Sequence, residues 1–304
     1  MRQIKAIVIV PAYNEAETMA LTIQMVKEEL SRLEEKAVSG SVMVVDDGST
    51  DSTADEARRA GADRLITHKL NQGLGAAVRS GLEQAYEAGA DVVIKFDADQ
   101  QHDPKDIPAL IKPIVDDEAD LVYGHRFERI EYRMPFVRRM GNMAFTALMR
   151  WLTGWPLKDS QPGIFAVHRR YLKNFYLPGD YNYSQQLLLD AYHRRMRFAH
   201  VPVSFRKRLT GQSFVSPGYP LKVMTQILMV VIGVKPLKIF GPLGLFFLGA
   251  GGILFLWEMS EWILGFTAKP VRHVNAVMGL TLFGLQTLFF GFLAHLIVQL
   301  NRRL

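Results

Sequence analysis

Short apolar runs alternate with amphipathic segments along the first 125 residues. Residues 4–10 form a β-branched run that ends at Pro11, which is typical of a buried parallel strand. From residue 15 to residue 33, apolar side chains recur every three or four positions, which predicts an amphipathic helix. The same reasoning predicts further strands at 42–45, 64–67, 92–96 and 121–123, and further helices at 53–60, 75–88 and 106–115. This order predicts an α/β domain with a mostly parallel sheet covered on both faces.

The last part of the chain has a different pattern, because two long stretches contain no Asp, Glu, Lys or Arg. These stretches are residues 239–257 and 273–301, and both are rich in Leu, Phe and Gly. A helix of the 19 residues 239–257 is about 28 Å long, close to the roughly 30 Å hydrocarbon core of a bilayer. The pattern predicts two transmembrane helices, at about 239–264 and 275–300. Two buried helices of a soluble α domain are the alternative.

The flanks of these stretches indicate on which side of the membrane the rest of the chain lies. No signal-peptide pattern is seen at the N-terminus, because Pro11 interrupts the first apolar run. The tail 301–304 is basic, and Lys235 and Lys238 precede the first stretch. Since basic flanks favour the cytoplasm, we expect an integral, multi-pass protein with a cytoplasmic catalytic part.

The charge distribution changes along the chain in a similar way. The formal net charge is +6, but residues 1–122 carry −10, residues 123–234 carry +12 and residues 235–304 carry +4. The absence of cysteine excludes a disulfide scaffold and a thiolate zinc or iron–sulfur site. We expect a catalytic domain over 1–218, an interfacial amphipathic helix over 219–236 and a membrane hairpin over 237–304.

Polar clusters follow four of the predicted strands. They are residues 11–15, 46–49, 97–99 and 124–126. Ligands of parallel α/β sheets bind at the carboxyl ends of the strands. We therefore expect these four clusters to converge on one binding site.

Asp97 and Asp99 are the acidic pair that we expect to carry the chemistry. Residues two apart in an extended segment point the same way, and paired carboxylates are costly unless a cation neutralises them. Oxygen ligands without cysteine favour Mg²⁺ or Mn²⁺, which usually shares its coordination with substrate phosphates, so a nucleoside diphosphate is the natural ligand. Taken alone, the pair could instead cap the next helix, and residues 46–49 could be a simple turn. Residues 73–75 resemble a phosphate loop only weakly.

Taken together, four motifs resemble those of family 2 glycosyltransferases of the GT-A fold. The motifs are Pro11-Ala12-Tyr13-Asn14-Glu15, Val45-Asp46-Asp47-Gly48-Ser49-Thr50-Asp51, Asn71-Gln72-Gly73 and Asp97-Ala98-Asp99-Gln100-Gln101-His102. Over about residues 4–215 the chain looks most like dolichyl-phosphate mannose synthases and related polyprenyl-phosphate glycosyltransferases. A C-terminal membrane hairpin also occurs in that group. The resemblance implies a Rossmann-like GT-A catalytic domain.

The resemblance also implies a role for each matching residue. The base and ribose would be held by Pro11, Tyr13, Glu15, Val45 and Asp47. The sugar-nucleotide diphosphate would be bound by Asp97, Ala98 and Asp99, with Asp99 and Gln101 as metal ligands. Arg126 and Arg206 would lie near the diphosphate, and Arg206 begins a basic loop, residues 206–213, with the pattern R-x-R-x-x-G-x-S. The candidate catalytic residues are Asp99, Arg126, Arg206 and Arg208.

Two departures from the family pattern bear on the acceptor. Many relatives have an acidic residue in the helix before the basic loop, where this chain has Ser184, Gln185 and Gln186. Residues 159–163 keep the aspartate and glycine of the usual D-x-x-x-G element but place proline before the glycine. The missing acid weakens the case for a carboxylate base. A lipid phosphate needs no base, because its second pKa of about 6 makes it largely dianionic at neutral pH.

The basic middle segment is expected to bind the phosphate of such an acceptor. The candidates are Arg133, Arg138, Arg139 and Arg208. Arg138 and Arg139 lie in the amphipathic segment 136–152, so attraction to anionic lipid headgroups is the alternative. The sequence pattern of residues 221–234 is typical of a second interfacial helix. His102 and His125 are expected to be site-wall residues rather than metal ligands.

We therefore expect a metal-dependent, inverting glycosyltransferase at the cytoplasmic membrane face. It would pass a hexose from GDP-mannose or UDP-glucose to a polyprenyl or dolichyl phosphate. The expected partners are this donor, the lipid phosphate and membrane lipids. No nucleic-acid partner is expected, and the sequence leaves open whether the protein forms a homo-oligomer. The alternatives are a same-fold enzyme with another lipid or glycan acceptor, and a non-catalytic membrane protein that binds a sugar nucleotide.

Overall fold

The structure is a computed structural model that describes residues 3–34, 37–126, 136–177, 183–206, 232–233 and 235–301. The chain divides into two compact units, Met1–Val215 and Ser216–Leu304. The first unit contains a seven-stranded sheet with its helices, and the second contains two long helices. Most of the predicted interfacial segment, 219–236, lies outside the described residues.

The first unit has the predicted α/β architecture. Its strands are β1 (Ile4–Ala12), β2 (Val38–Asp46), β3 (Arg64–Thr67), β4 (Val92–Lys95), β5 (Leu121–His125), β6 (Phe165–His168) and β7 (Phe198–Pro202). Its helices are α1 (Ala16–Glu34), α2 (Thr53–Arg59), α3 (Leu74–Glu87), α4 (Ile107–Val115), α5 (Phe136–Thr153), α6 (Arg169–Leu172) and α7 (Tyr183–His193). The strand order is β3-β2-β1-β4-β6-β5-β7, and within this sheet β6 alone is antiparallel to its neighbours. The prediction of a mostly parallel sheet is confirmed.

Helices cover both faces of the sheet. On one face, Val8 of β1 belongs to a core that includes Met19 of α1 and Leu110 of α4. On the other face, α3 approaches β1 closely at Gly81, where a Cβ atom would lie 3.1 Å from Cδ1 of Ile9. Burial on both faces explains why β1 is a continuous apolar run instead of an alternating one.

Two strands beyond the predicted series complete the sheet. β6 lies between β4 and β5, and β7 pairs in parallel with β5 at the edge. β6 has only four residues, too few to show a period, so its conformation depends on pairing on both sides. β2 begins at Val38 instead of the predicted residue 42, because residues 39–41, which are Ser, Gly and Ser, also pair with β1.

Within its described residues, the second unit contains two long helices, α8 and α9. Their bounds are Leu237–Ile263 and Val274–Asn301, and both are long and apolar enough to cross a membrane. The helices approach each other through small residues, since a Cβ atom at Gly244 would lie 2.6 Å from Cγ of Leu288. Large apolar side chains such as Phe289, which is 65% exposed, remain on the surface. This favours membrane helices over buried helices of a soluble domain, and the protein is membrane-associated.

Candidate active site

The polar clusters after β1, β2 and β4 meet at one edge of the sheet and line a cleft of about 360 Å³. The parallel register brings the strand ends together, since Ala12 pairs with Asp46 and Ile9 pairs with Lys95. The cleft is lined by Pro11, Ala12, Tyr13, Glu15, Asp47, Asn71, Gly73, Leu74, Ala77, Asp97, Ala98 and Asp99. Most of the residues expected to bind the donor therefore lie together.

Asp47 organises one side of this cleft. Its carboxylate is 2% exposed and accepts hydrogen bonds from the backbone N–H of Gln72 at 3.0 Å and of Gly73 at 2.7 Å. Nδ1 of His68 lies 2.7 Å from Oδ1 of the same carboxylate. The neighbouring Gly48 has a φ of +69° and lies so close to the 70–71 backbone that a Cβ atom would be 2.5 Å from it. Asp47 thus fixes the loop at residues 71–73, which lines the cleft.

The turn after β1 contributes a second part of the lining. Tyr13 is 44% exposed, and Asn14 has a φ of 54° in the left-handed region. Oδ1 of Asn14 accepts a hydrogen bond from the backbone N–H of Thr50 at 2.9 Å. The backbone N–H of Glu15 donates to Oγ1 of Thr53 at 2.9 Å. These bonds join the 11–15 turn to the turn after β2, as expected for one shared site.

Val45 is an exception among the predicted donor-binding residues. Its side chain is fully buried, and its Cγ2 lies 3.2 Å from the position that a Cβ atom would take at Gly81. Strand alternation directs it into the core under α3. The Val45 side chain therefore supports the cleft from within the core, and a role of this residue in donor binding stays a prediction.

The turn after β4 carries oxygen donors that suit a divalent cation. Oδ1 of Asp99 accepts a hydrogen bond from the backbone N–H of Gln101 at 3.1 Å, and Nε2 of Gln101 donates to the carbonyl of Arg206 at 3.3 Å. Because that nitrogen is engaged, Oε1 is the side-chain atom of Gln101 that can bind a cation. Within the described residues, no three His, Asp or Glu side chains form a cluster that could hold an ion. The donor set fits Mg²⁺ or Mn²⁺ that shares its coordination with a diphosphate.

Pattern reasoning missed Lys95, the last residue of β4. Its side chain is fully buried, and its Nζ donates to Oδ1 of Asp97 and, at 2.7 Å, to the carbonyl of Gly163. Burial alone would lower the pKa of Lys95, but the charge of Asp97 offsets this effect, so the pKa lies above its usual value. The side chain is therefore an ammonium. A lone lysine in an apolar run directly before Asp-x-Asp is the signal that could have revealed it.

The fourth polar cluster, residues 124–126, is placed differently from the three clusters at the cleft. Arg126 is 6% exposed and does not line the cleft. Its Nε lies 3.0 Å from Oδ2 of Asp159, and its NH2 donates to the carbonyl of Gln161 at 2.8 Å. Its guanidinium lies 5.0 Å from the ring centroid of Phe205. In this structure Arg126 holds residues 159–161, so a direct role at the diphosphate stays a prediction.

Arg206 lies next to the candidate metal ligand Gln101. Its backbone N–H donates to the carbonyl of Gln101 at 2.8 Å, and its NH2 donates to Oδ2 of Asp103 at 2.6 Å. The start of the basic loop is thereby joined to the turn after β4. Arg139 is exposed on α5. Arg133, the side chain of Arg138, Arg208 and the rest of the 206–213 loop lie outside the described residues.

Helix α7 has neutral side chains where many family members have an acid. Ser184 is 7% exposed and Gln185 is 1% exposed, and the first turn of α7 contains no acidic residue. The carbonyl of Ser184 accepts a hydrogen bond from the hydroxyl of Tyr123 at 2.6 Å. These residues therefore provide no carboxylate base.

His102 and His125 are both buried. The His102 ring lies 5.1 Å from the ring of Phe205, and the His125 ring lies 5.7 Å from that of His200. Burial lowers the pKa of His102 to about 4, against an opposing effect of Asp97, so this imidazole is neutral at neutral pH. The structure thus places each of these buried rings against another aromatic side chain.

Comparisons with known proteins agree with this geometry. The model of glycosyl transferase family 2 matches residues 7–175. The UDP-N-acetylglucosamine–dolichyl-phosphate N-acetylglucosaminyltransferase of Methanococcus voltae is 33% identical over 54% of this chain and 70% of its own length. The undecaprenyl-phosphate mannosyltransferase of Micrococcus luteus is 30% identical over 70% of this chain and 88% of its own length.

A solved structure with a similar fold was crystallised with a metal and a nucleotide. It is glucosyl-3-phosphoglycerate synthase from Mycobacterium tuberculosis in complex with Mn²⁺, UDP and glucosyl-3-phosphoglycerate. The match has a TM-score of 0.54 at 25% identity and covers 74% of this chain and 77% of the synthase. The similarity covers about three-quarters of both chains.

Proposed function

The chain belongs to glycosyl transferase family 2, and we propose that it is a polyprenyl-phosphate glycosyltransferase. It transfers a hexose, mannose or glucose, from a nucleoside diphosphate sugar to the phosphate of a polyprenol or dolichol, with inversion at the sugar carbon. The observation that carries this proposal is the cleft in which Asp97 and Asp99 lie with Tyr13 and Asp47. The names of the relatives from Micrococcus luteus and Methanococcus voltae, which act on undecaprenyl and dolichyl phosphates, support this class of acceptor.

The donor side of the proposal rests on the turns after β1, β2 and β4. Tyr13 and the loop at residues 71–73 bind the base and ribose, while Asp47 keeps that loop in place. Asp99 and Gln101 hold Mg²⁺ or Mn²⁺. When bound, the metal supplies positive charge that stabilises the departing diphosphate. The crystallisation of the mycobacterial synthase with Mn²⁺ and UDP supports a divalent metal and a nucleotide as ligands of this fold.

The acceptor side rests on the neutral side chains in the first turn of α7 and on the position of Arg206. A lipid phosphate is already largely dianionic at neutral pH, so the neutral Ser184 and Gln185 are compatible with its attack on the sugar. A dianion that approaches a diphosphate is repelled, and arginines reduce this repulsion. Because Arg206 is bonded to Gln101, the basic loop starts beside the metal ligands. Arg206 and Arg208 are the proposed contacts near the transferred sugar.

The membrane side rests on α5 as well as on α8 and α9. The sequence of α5 contains three arginines and no acid. Its exposed side chains include Met140, Met143 and Trp151, which are each about half exposed (49%, 53% and 49%). A basic helix with such a face is suited to the surface of an anionic membrane. We propose a multi-pass protein, anchored by α8 and α9, with its catalytic unit on the cytoplasmic face.

The proposal is tested with the purified full-length protein and radiolabelled donors. GDP-mannose, UDP-glucose and UDP-N-acetylglucosamine are each incubated with polyprenyl phosphate, Mg²⁺ or Mn²⁺, and the lipid product is hydrolysed with mild acid. One donor should give an acid-labile glycolipid, and Asp99→Ala should abolish its formation. Full turnover by Asp99→Ala would contradict the metal-dependent mechanism. Donor binding without turnover on any lipid would favour the non-catalytic alternative.

A further inference from the structure

A buried lysine ends the central strand β4, although the contacts proposed for donor and acceptor do not use it. Lys95 is fully buried and follows the apolar residues Val92, Val93 and Ile94. A buried ammonium is costly unless its partners are well placed. The partners of Lys95 should therefore explain its presence.

Lys95 joins three segments that are distant in the sequence. Its Nζ donates to Asp97 in the turn after β4 and to the carbonyl of Gly163 in the loop before β6. It also lies 5.7 Å from the ring centroid of Tyr183, the first residue of α7. The segment that ends at Gly163 begins at Asp159, which pairs with Arg126. Two buried cations thus hold residues 159–163 at opposite ends.

The contact between this segment and the Asp97 turn requires a glycine. A Cβ atom at Gly163 would lie 2.1 Å from Nε2 of His102 and 3.2 Å from Oδ2 of Asp97. The close approach allows the Gly163 carbonyl and the Asp97 carboxylate to share one ammonium. The ion pair of Lys95 with Asp97 therefore links this carboxylate of the motif to the 159–163 segment.

We infer that Lys95 is a positioning residue that neutralises Asp97 and aligns residues 159–163 with the donor cleft. With Lys95 in place, the negative charge of Asp97 is compensated before the metal and the diphosphate bind. Asp99 then binds the metal with Gln101, while Asp97 stays an anchored neighbour. This inference rests on the proposed function of the cleft as a metal–diphosphate site.

The test measures metal and nucleotide binding separately on the full-length protein in detergent at pH 8. In Lys95→Met, Mn²⁺ alone should bind about tenfold more tightly, because the site gains one uncompensated carboxylate. GDP and UDP in the absence of metal should bind about tenfold more weakly, because the diphosphate meets that same charge. Free Mn²⁺ is followed by its electron paramagnetic resonance signal, and nucleotide by calorimetric titration. General damage to the site would weaken both ligands, so opposite signs identify the charge effect.

Two matched variants complete the test. Lys95→Arg keeps the positive charge, and Lys95→Met/Asp97→Asn removes both charges, so each should bind Mn²⁺ within about twofold of the wild type. If Lys95→Met does not fold but the double variant folds and binds Mn²⁺ normally, the pairing is supported. The inference is wrong if Lys95→Met weakens both ligands, if it changes neither, or if neither variant without Lys95 folds. A wild-type protein that binds no nucleotide even with Mn²⁺ would refute the proposed function instead.

Discussion

Replacing Asp159 by asparagine is expected to destabilise the first unit, because it removes the charged partner of a buried arginine. Asp159 is fully buried and Arg126 is 6% exposed, with 3.0 Å between Oδ2 and Nε. The other oxygen, Oδ1, accepts hydrogen bonds from the backbone of Gln161 at 2.9 Å and from Nδ2 of Asn142 at 3.2 Å. Asparagine has nearly the same shape as aspartate, so the substitution removes the charge with little change in packing.

The size of the effect follows from the burial of both partners. Breaking a buried ion pair by removing one partner costs about 3–5 kcal/mol. In a unit of this size, each kcal/mol lowers the melting temperature by about 2–4 °C, so Asp159→Asn should melt roughly 6–20 °C below the wild type. Thermal unfolding of the full-length protein in detergent, followed by circular dichroism, measures this shift. Arg126→Met/Asp159→Asn should recover most of the loss, because it leaves no unpaired charge.

Turnover in the same variants separates the structural role of Arg126 from a role at the diphosphate. If Arg126 acts on the reaction, the double variant regains stability without regaining turnover. If Arg126 only compensates the buried charge of Asp159, the double variant regains both. The argument from burial is refuted if Asp159→Asn melts within about 2 °C of the wild type, or if the double variant is no more stable than the single one.

Three further predictions concern the nucleotide loop, a buried histidine and the membrane face. Asp47→Asn should weaken GDP or UDP binding at least tenfold in calorimetric titration, since each hydrogen bond to a charged group contributes about 1.5–3 kcal/mol; unchanged affinity would contradict the role of Asp47. Burial lowers the pKa of His102 from 6.5 to about 4, so between these pH values only the unfolded state gains its proton. Stability should fall as pH falls through this range, and a His102→Phe variant with the wild-type slope would refute this. A spin label at Met143→Cys, in a chain without native cysteine, should contact lipid in nanodiscs, whereas one at Asp55→Cys on α2 should contact water; equal exposure to a water-soluble relaxant would exclude membrane contact.

The donor cleft could be predicted from the sequence because it depends on a general property of parallel sheets. Polar residues at the ends of β1, β2 and β4 must lie at one edge once the strands are identified. The strands β6 and β7 could not be predicted in the same way. β6 has no period of its own and acquires its conformation from β4 and β5, which pair with it from both sides.

The side-chain environment of single residues was less predictable than the cleft. Val45 belongs to a motif of donor-binding residues, but strand alternation buries it under α3. Lys95 was overlooked because one lysine in an apolar run gives no periodic signal, and its partner Gly163 is 68 residues away. Arg126 was placed near the diphosphate by resemblance, whereas its pairing with Asp159 is a tertiary contact. In each case the deciding contact is distant in the sequence.

Ion pairs between distant residues also change how the net charges of the three segments are interpreted. The acidic residues 1–122 and the basic residues 123–234 neutralise each other in several ion pairs. Arg170 and Arg197 pair with Asp117 and Asp120, and Arg206 pairs with Asp103. The pairs Arg126–Asp159 and Arg194–Asp190 lie within the middle segment and are already counted in its net charge. The electric field of a paired charge is largely cancelled by that of its partner, so the pair attracts distant ions weakly. Three arginines of the middle segment are therefore compensated by acids of the first segment and are less available to attract phosphates. Under the proposed function, a lipid phosphate would bind through cations close to the donor and through Arg139, which has no acidic partner among the described residues.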